Sequence, residues 1–105
     1  MPPFANTPRP PYFAVIFTST LTPHAAGYDD MAQKMVALAA QQSGFLGMES
    51  ARDSVGMTVS YWSSLEAIKQ WKAQADHLVA QQLGQARWYE HYCVRIAKVE
   101  RDYRM

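Results

Sequence analysis

The chain has 105 residues, a formal net charge of +1 and 49% hydrophobic residues. That length holds one domain and buries a modest share of its surface, so association is a reasonable way to add core. Lys and Arg are scattered without a basic run, no apolar stretch approaches the roughly 20 residues that span a bilayer, and the one cysteine, Cys93, leaves no internal disulfide. Nothing here predicts a nucleic-acid partner, a membrane partner or an oxidised scaffold.

The chain opens with "MPPFANTPRPPY", which is Pro-rich and lacks the apolar core of a secretory signal. Residues 1–10 read as a flexible, extended tail before a domain over 11–105. A cytoplasmic protein is expected. "YFAVIFTSTL" (Tyr12 to Leu21) is aromatic and β-branched, so it reads as a strand. Tyr12, Ala14 and Ile16 alternate with Phe13, Val15 and Phe17, which predicts burial on both faces. Next, Tyr28, Met31, Met35, Leu38 and Gln42 recur at three- and four-residue steps, the pattern of an amphipathic helix that Gly44 stops. Asp29 and Asp30 fall in its first turn, where the helix dipole favours negative charge.

"FLGMESARD" (Phe45 to Asp53) and "MTVSYW" (Met57 to Trp62) read as two strands joined by a turn. Ser63-Ser64-Leu65-Glu66 matches a capping box and starts a second helix, with Leu65, Ile68 and Trp71 on its buried stripe. Asp76 is expected to restart that helix after a break, with Leu78, Val79 and Leu83 continuing an apolar side up to Gly84. "YEHYCVRIAKVERDY" reads as a long last strand. The order βαββαβ is the α+β, ferredoxin-like arrangement: two helices on one face of a four-stranded antiparallel sheet. The other face then carries apolar side chains with no cover, which predicts a homodimer with the two sheets face to face.

Three histidines are present, His24, His77 and His91, and none forms a metal motif. There is no Gly-rich phosphate loop or dinucleotide fingerprint, so no cofactor is expected from local motifs. His77 follows Asp76 at the expected helix restart. A helix N-terminus disfavours the imidazolium, and a neutral imidazole suits proton abstraction, so His77 is the candidate base. A surface or capping role is the simpler reading of its position. Trp62, Trp71, Trp88, Tyr89 and Tyr92 either fill the core or line a cavity. Trp71 falls on the apolar stripe, which favours core for that ring. Arg95 lies in a strand between Cys93 and Ala97 and should pair with an acid or face a wet cavity, with Glu49 as candidate partner.

The segment from Tyr61 to Tyr103 resembles the antibiotic biosynthesis monooxygenase (ABM) domain family. The resemblance rests on Tyr61-Trp62, Ser64 to Ala67, Trp71, His77, Gly84, Trp88-Tyr89 and Val99 to Arg101, with "SGFLGMES" (Ser43 to Ser50) as a further match. It extends from Tyr12 to about Tyr103 and implies a ferredoxin-like subunit of a dimeric α+β barrel. It also implies oxidation of a phenolic, polyketide or quinol-like substrate by dioxygen without a bound cofactor. That chemistry asks for an apolar, closed pocket and a base. On this reading His77 is the base or hydrogen-bond partner, and Arg95 stabilises a phenolate or developing oxyanion. Trp62, Trp71, Tyr89 and Tyr92 line the cavity. Haem-degrading relatives carry an Asn-Trp-His set. Here the only Asn is Asn6, in the tail, and Phe17, Thr18 and Ser19 stand where those relatives place Asn. Haem cleavage is therefore disfavoured, while haem binding stays open. The alternative is a non-catalytic dimeric module that holds haem or another hydrophobic molecule, and a structural dimer with a vestigial pocket is a third reading.

Overall fold

Alternating apolar residues give the first strand, β1 (Tyr12–Leu21), and the three- and four-residue stripe gives α1 (Tyr28–Ala40). The chain continues through β2 (Phe45–Arg52), β3 (Gly56–Trp62), α2 (Leu65–Gln82) and β4 (Tyr89–Val99). The structure is a computed structural model and describes residues 4–23, 25–82 and 88–105, without the side chains of 80–82. Leu83, Gly84 and His24, singled out above, lie outside the described residues. All pairings are antiparallel and the sheet order is β2-β3-β1-β4. The fold is α+β and ferredoxin-like, as the element order implies. No helix among the described residues is long and apolar enough to cross a membrane.

Gly44 ends the turn after α1 with φ +86°, a conformation that disfavours any residue with a Cβ. A Cβ there would also stand 2.6 Å from that of Ala67 and 2.8 Å from Ser63 Oγ. The Ser63 amide in turn donates to the Gly44 carbonyl (2.9 Å), so the two helix junctions are locked together. The cap of α2 is Ser64, whose Oγ accepts from the Ala67 amide at 3.0 Å. Glu66 therefore sits one place too early to close a reciprocal capping box.

Three expectations about α2 and β4 need correction. Leu65, placed on the buried stripe with Ile68 and Trp71, is 56% exposed. The helix runs unbroken through Asp76, which pairs with Lys72 across one turn (2.8 Å) and begins nothing. The run Lys72 to Val79 holds no Gly or Pro, so nothing in it interrupts the backbone ladder. The last strand stops at Val99, short of Tyr103.

Register fixes which side chains share each face. On the helix side, four rows cross the sheet: Phe45–Trp62–Phe13–Lys98, Met48–Ser60–Val15–Ile96, Ser50–Thr58–Phe17–Val94, and Arg52–Gly56–Ser19–Tyr92. The first two rows carry the core. Trp62 is completely buried and packs with Ala39, Ala67, Ile68 and Trp71. Its indole stacks on Trp71 at 5.7 Å, and its N–H donates to Ser60 Oγ at 2.9 Å. Truncating such a ring to alanine costs roughly 3–5 kcal/mol. The helices rest on β2 and β3, α1 on the former and α2 on the latter. The helix side of β4 consequently stays open, with Tyr92 65%, Val94 47% and Ile96 52% exposed.

The opposite face carries Tyr12, Ala14, Ile16 and Thr18 of β1 beside Tyr61, Val59 and Met57 of β3. Glu49 and Arg95 share one row of this face, Glu49–Val59–Ile16–Arg95, but at its two ends. Three strand spacings, about 14 Å, separate their backbones, so they are not partners. Glu49 instead accepts from the Tyr61 hydroxyl (2.5 Å) and the Ala5 amide (2.8 Å). The segment read as a tail is thus in contact with the domain over its described part. Thr7 donates to the Tyr12 hydroxyl, which donates to Asp102 (2.7 Å), and Arg104 reaches the Ala5 carbonyl (3.1 Å).

Candidate functional site

The aromatic residues divide into two groups. Trp62 and Trp71 are core, and Trp88 is buried with its indole N–H on the Ala26 carbonyl (2.9 Å). These rings fill space and do not line a cavity, which corrects the expectation for Trp62 and Trp71. Tyr89 and Tyr92 belong to a second cluster with Phe17 and Tyr28. Phe17 stacks on Tyr92 at 5.7 Å and meets Tyr89 edge-on at 5.2 Å. Tyr28 meets Tyr89 edge-on at 5.6 Å, and Tyr89 lies 5.9 Å from Tyr92. Edge-to-face and offset pairs of this kind are favourable beyond the area they bury.

A bulge brings Tyr89 here. Strict alternation would set it with His91 and Cys93 on the face away from the helices. The pairing of β1 with β4 shifts between Thr20 and Leu21, so Leu21 opposes Tyr89, and the ring turns to the helix side. Burial pushes the Tyr89 hydroxyl's pKa well above the usual tyrosine value. The neighbouring Tyr28 hydroxyl adds to the rise, and Arg52 opposes it. Tyr89 is half-buried, while Tyr92 and the apolar residues Val94 and Ile96 beyond it face outward. Leu21 and Tyr28 connect the cluster to an open depression of about 410 Å³, lined also by Ala25 to Gly27, Asp29 and Asp30.

A cation adjoins these rings. Arg52, at the end of β2, places its guanidinium 5.3 Å from the centre of the Tyr28 ring. Its Nη2 donates to Ser19 Oγ (2.5 Å) and toward the Tyr28 hydroxyl (3.4 Å), and Nη1 reaches the Ser19 carbonyl (3.4 Å). Arg52, Ser19, Tyr28 and Phe17 were not legible as a group beforehand. They come from three elements, β1, α1 and β2, and meet only in the folded chain. A local signal did exist: Gly56 opens the strand opposite Arg52, where a side chain would obstruct a long cation folding back over the sheet.

His77 is the thirteenth residue of the continuous α2, remote from its N-terminus, which removes the premise that marked it as a base. Its side chain is exposed. Arg95 pairs with Ile16 and lies on the sheet face opposite the helices. The structure therefore brings Tyr89 and Tyr92 together and sets Arg95 on the other face of the sheet. Among the described residues no group of three or more His, Cys, Asp or Glu side chains is placed to hold a metal.

The family model for antibiotic biosynthesis monooxygenase matches residues 11–83, and the chain belongs to that family. The matched span reaches from the start of β1 to the end of α2, less far than the resemblance traced through β4. The chain is 50% identical over 100 residues to the uncharacterized protein YqjZ of Bacillus subtilis strain 168, covering 93% of this chain and 88% of that one. Among solved structures, a mutant of SnoaB, a cofactor-independent oxygenase from Streptomyces nogalater, superposes with a TM-score of 0.70 at 15% identity. The match covers 87% of this chain and 95% of that one. PA3566 from Pseudomonas aeruginosa superposes with a TM-score of 0.67 at 18% identity, over 91% and 99% of the two chains. At such identities these two structures show the shared fold.

Proposed function

We propose that this chain is a small-molecule monooxygenase that oxidises a phenolic, polyketide or quinol-like substrate with dioxygen and without a bound cofactor. The observation that supports it is the four-ring cluster of Phe17, Tyr28, Tyr89 and Tyr92 on the uncovered helix side of β1 and β4. Such a surface accepts a flat aromatic molecule by stacking. The electrons for the reaction come from the substrate. An anthrone-type ring CH₂ loses its acidic proton, the carbanion reduces dioxygen, and the ring carbon ends as C=O while the second oxygen atom leaves as water. The protein's part is to orient the ring against the platform. The resemblance to SnoaB, itself described as a cofactor-independent oxygenase, agrees with this chemistry.

The test is dioxygen uptake by the purified chain with anthrone and with a hydroquinone. We expect turnover that falls at least tenfold in Tyr92→Ala. His77→Ala checks the base named from the sequence. With His77 exposed and well inside α2, we expect an unchanged rate, and a loss of a hundredfold would restore the imidazole to the reaction.

The second reading, a non-catalytic module for haem or another hydrophobic molecule, is favoured at one point. The polar groups set against Tyr89 are the Tyr28 hydroxyl and the Arg52 guanidinium, a phenol and a cation, and neither is a side chain of the kind that serves as a general base. Such a site binds and orients more readily than it deprotonates. No oxygen uptake together with a stoichiometric visible band on adding haem would establish that reading.

A further inference from the structure

We propose that Arg52 is the specificity residue of the ring cleft and selects aromatic substrates that carry an anionic oxygen, a carboxylate or a phenolate. The proposal rests on the cleft being the substrate site and adds the class of molecule it takes.

The row Arg52–Gly56–Ser19–Tyr92 carries the argument. Gly56 is buried and offers no side chain on the helix face, so the Arg52 side chain folds across β3 to reach Ser19, two strands away. A Cβ on Gly56 would stand 2.1 Å from Arg52 Cζ and 2.2 Å from Nη2, so the guanidinium would have to swing away from this place over the sheet. Ser19 is 2% exposed and presents both its hydroxyl and its carbonyl to the cation. The Tyr28 ring lies under the guanidinium and its hydroxyl accepts from the same group. The cation is therefore held in one place by neutral partners.

Among the described residues no carboxylate pairs with it: Lys72–Asp76, Arg104–Asp102 and the contact of His91 with Glu90 all lie elsewhere. The residues outside that set include no Asp or Glu. A guanidinium keeps its charge at any physiological pH and offers five N–H donors in a planar fork suited to carboxylate or phenolate oxygens. Arg52 is also exposed overall, so the donors not used on Ser19 and Tyr28 are open to a ligand. The next side chain along the row is Tyr92, on the ring platform. A planar substrate resting on Phe17, Tyr89 and Tyr92 thus brings an oxygen at its rim toward the fork. Fixed charge of this kind discriminates by ligand charge, because the neutral analogue leaves the cation without its counter-charge.

The test is calorimetric titration of the purified full chain with 2-naphthoate and with its neutral isostere 2-naphthamide. The wild type is expected to bind the carboxylate at least tenfold more tightly than the amide, and Arg52→Met to bind the two alike. Gly56→Ala keeps the charge but evicts the guanidinium, and is expected to lose the preference as well. Arg52→Lys keeps part of it, since an ammonium cannot hold Ser19 and a ligand in the same planar geometry. Should Arg52→Met fail to fold by circular dichroism, Ser19→Ala removes one anchor and no charge, and is expected to weaken the preference. The phenolate arm uses 4-nitrophenol, whose ionised form absorbs in the visible; bound to the wild type it should ionise at lower pH than when free, and not so with Arg52→Met. Equal affinity for acid and amide in the wild type, a preference that survives Arg52→Met, or no binding of either naphthyl probe would overturn the proposal. A charge preference without any oxygen uptake would sink the catalytic reading alone, and uptake without the preference would sink this one alone.

Discussion

Thr18 and Thr20 place hydroxyls on the face of β1 away from the helices, where their Oγ1 atoms are buried with no hydrogen-bond partner among the described residues. A hydroxyl in that state forfeits its hydration without return, and valine has the same shape and suits a strand at least as well. Thr18→Val should therefore raise stability by about 1 kcal/mol, read as a higher urea midpoint at unchanged slope; a drop would mean the hydroxyl is satisfied in solution. The tyrosines give a second residue-scale prediction. Burial, reinforced by the Glu49 carboxylate that accepts its proton, pushes the Tyr61 hydroxyl's pKa up, and burial does the same to Tyr89. A folded-state pKa above the unfolded value means that the folded chain holds more protons once pH exceeds that of free tyrosine. The associated stability is complete below about pH 10 and is lost as pH rises further. Thermal unfolding followed from pH 8 to 11 should show this fall, and Tyr61→Phe and Tyr89→Phe should each make it shallower. An equally steep fall in both variants would place the alkaline sensitivity elsewhere.

The legibility of each element followed from how local its cause was. α1 and the strands were readable because the period of their apolar residues is fixed by geometry within a few positions. Met31 and Ala39 are indeed buried, with Met35 and Leu38 packed against the core. The apparent restart of α2 at Asp76 misread an acidic residue as a cap. Asp76 is one end of an i, i+4 pair with Lys72 on an exposed helix face, and a pair looks like a cap when only one partner is considered. That single misreading also raised His77 to a candidate base. Tyr92 was readable by parity, whereas Tyr89 depends on a bulge, and Arg52 depends on the pairing of three strands with a glycine in the middle one. Non-local register is the information that a short sequence window does not hold. The true cap gives the test at this scale. Ser64→Ala removes the acceptor of the Ala67 amide and should destabilise the fold by about 1 kcal/mol. Ser63→Ala, which leaves that hydrogen bond intact, should change little by comparison, and the reverse order would move the cap to Ser63.

The whole molecule shows more surface than its mass calls for. It exposes 7441 Å², whereas a sealed monomer of 11.9 kDa exposes about 6,000 Å². Its Cα radius of gyration is 14.1 Å, against about 13 Å expected for this length. Part of the excess is the sheet face that the helices do not touch, where Ile16, Val59, Met57, Ala97 and Val99 stay half-buried or exposed beside a few polar side chains. A β-sheet so shaped needs cover, and the least costly cover is a second copy related by a two-fold axis, since one self-complementary surface then satisfies both chains. This makes the homodimer a prediction with a position attached. Met57 is 49% exposed in the single chain, so replacing it with aspartate leaves the subunit's own core alone and charges the surface a partner would cover. Sedimentation equilibrium at micromolar concentration should give a dimer for the wild type and a folded monomer for Met57→Asp. Val36→Asp, equally exposed but on the outer side of α1, should stay dimeric. If the wild type sediments as a monomer, or Met57→Asp associates as well as Val36→Asp, the open sheet face is not where the copies meet, and the surplus surface needs another explanation.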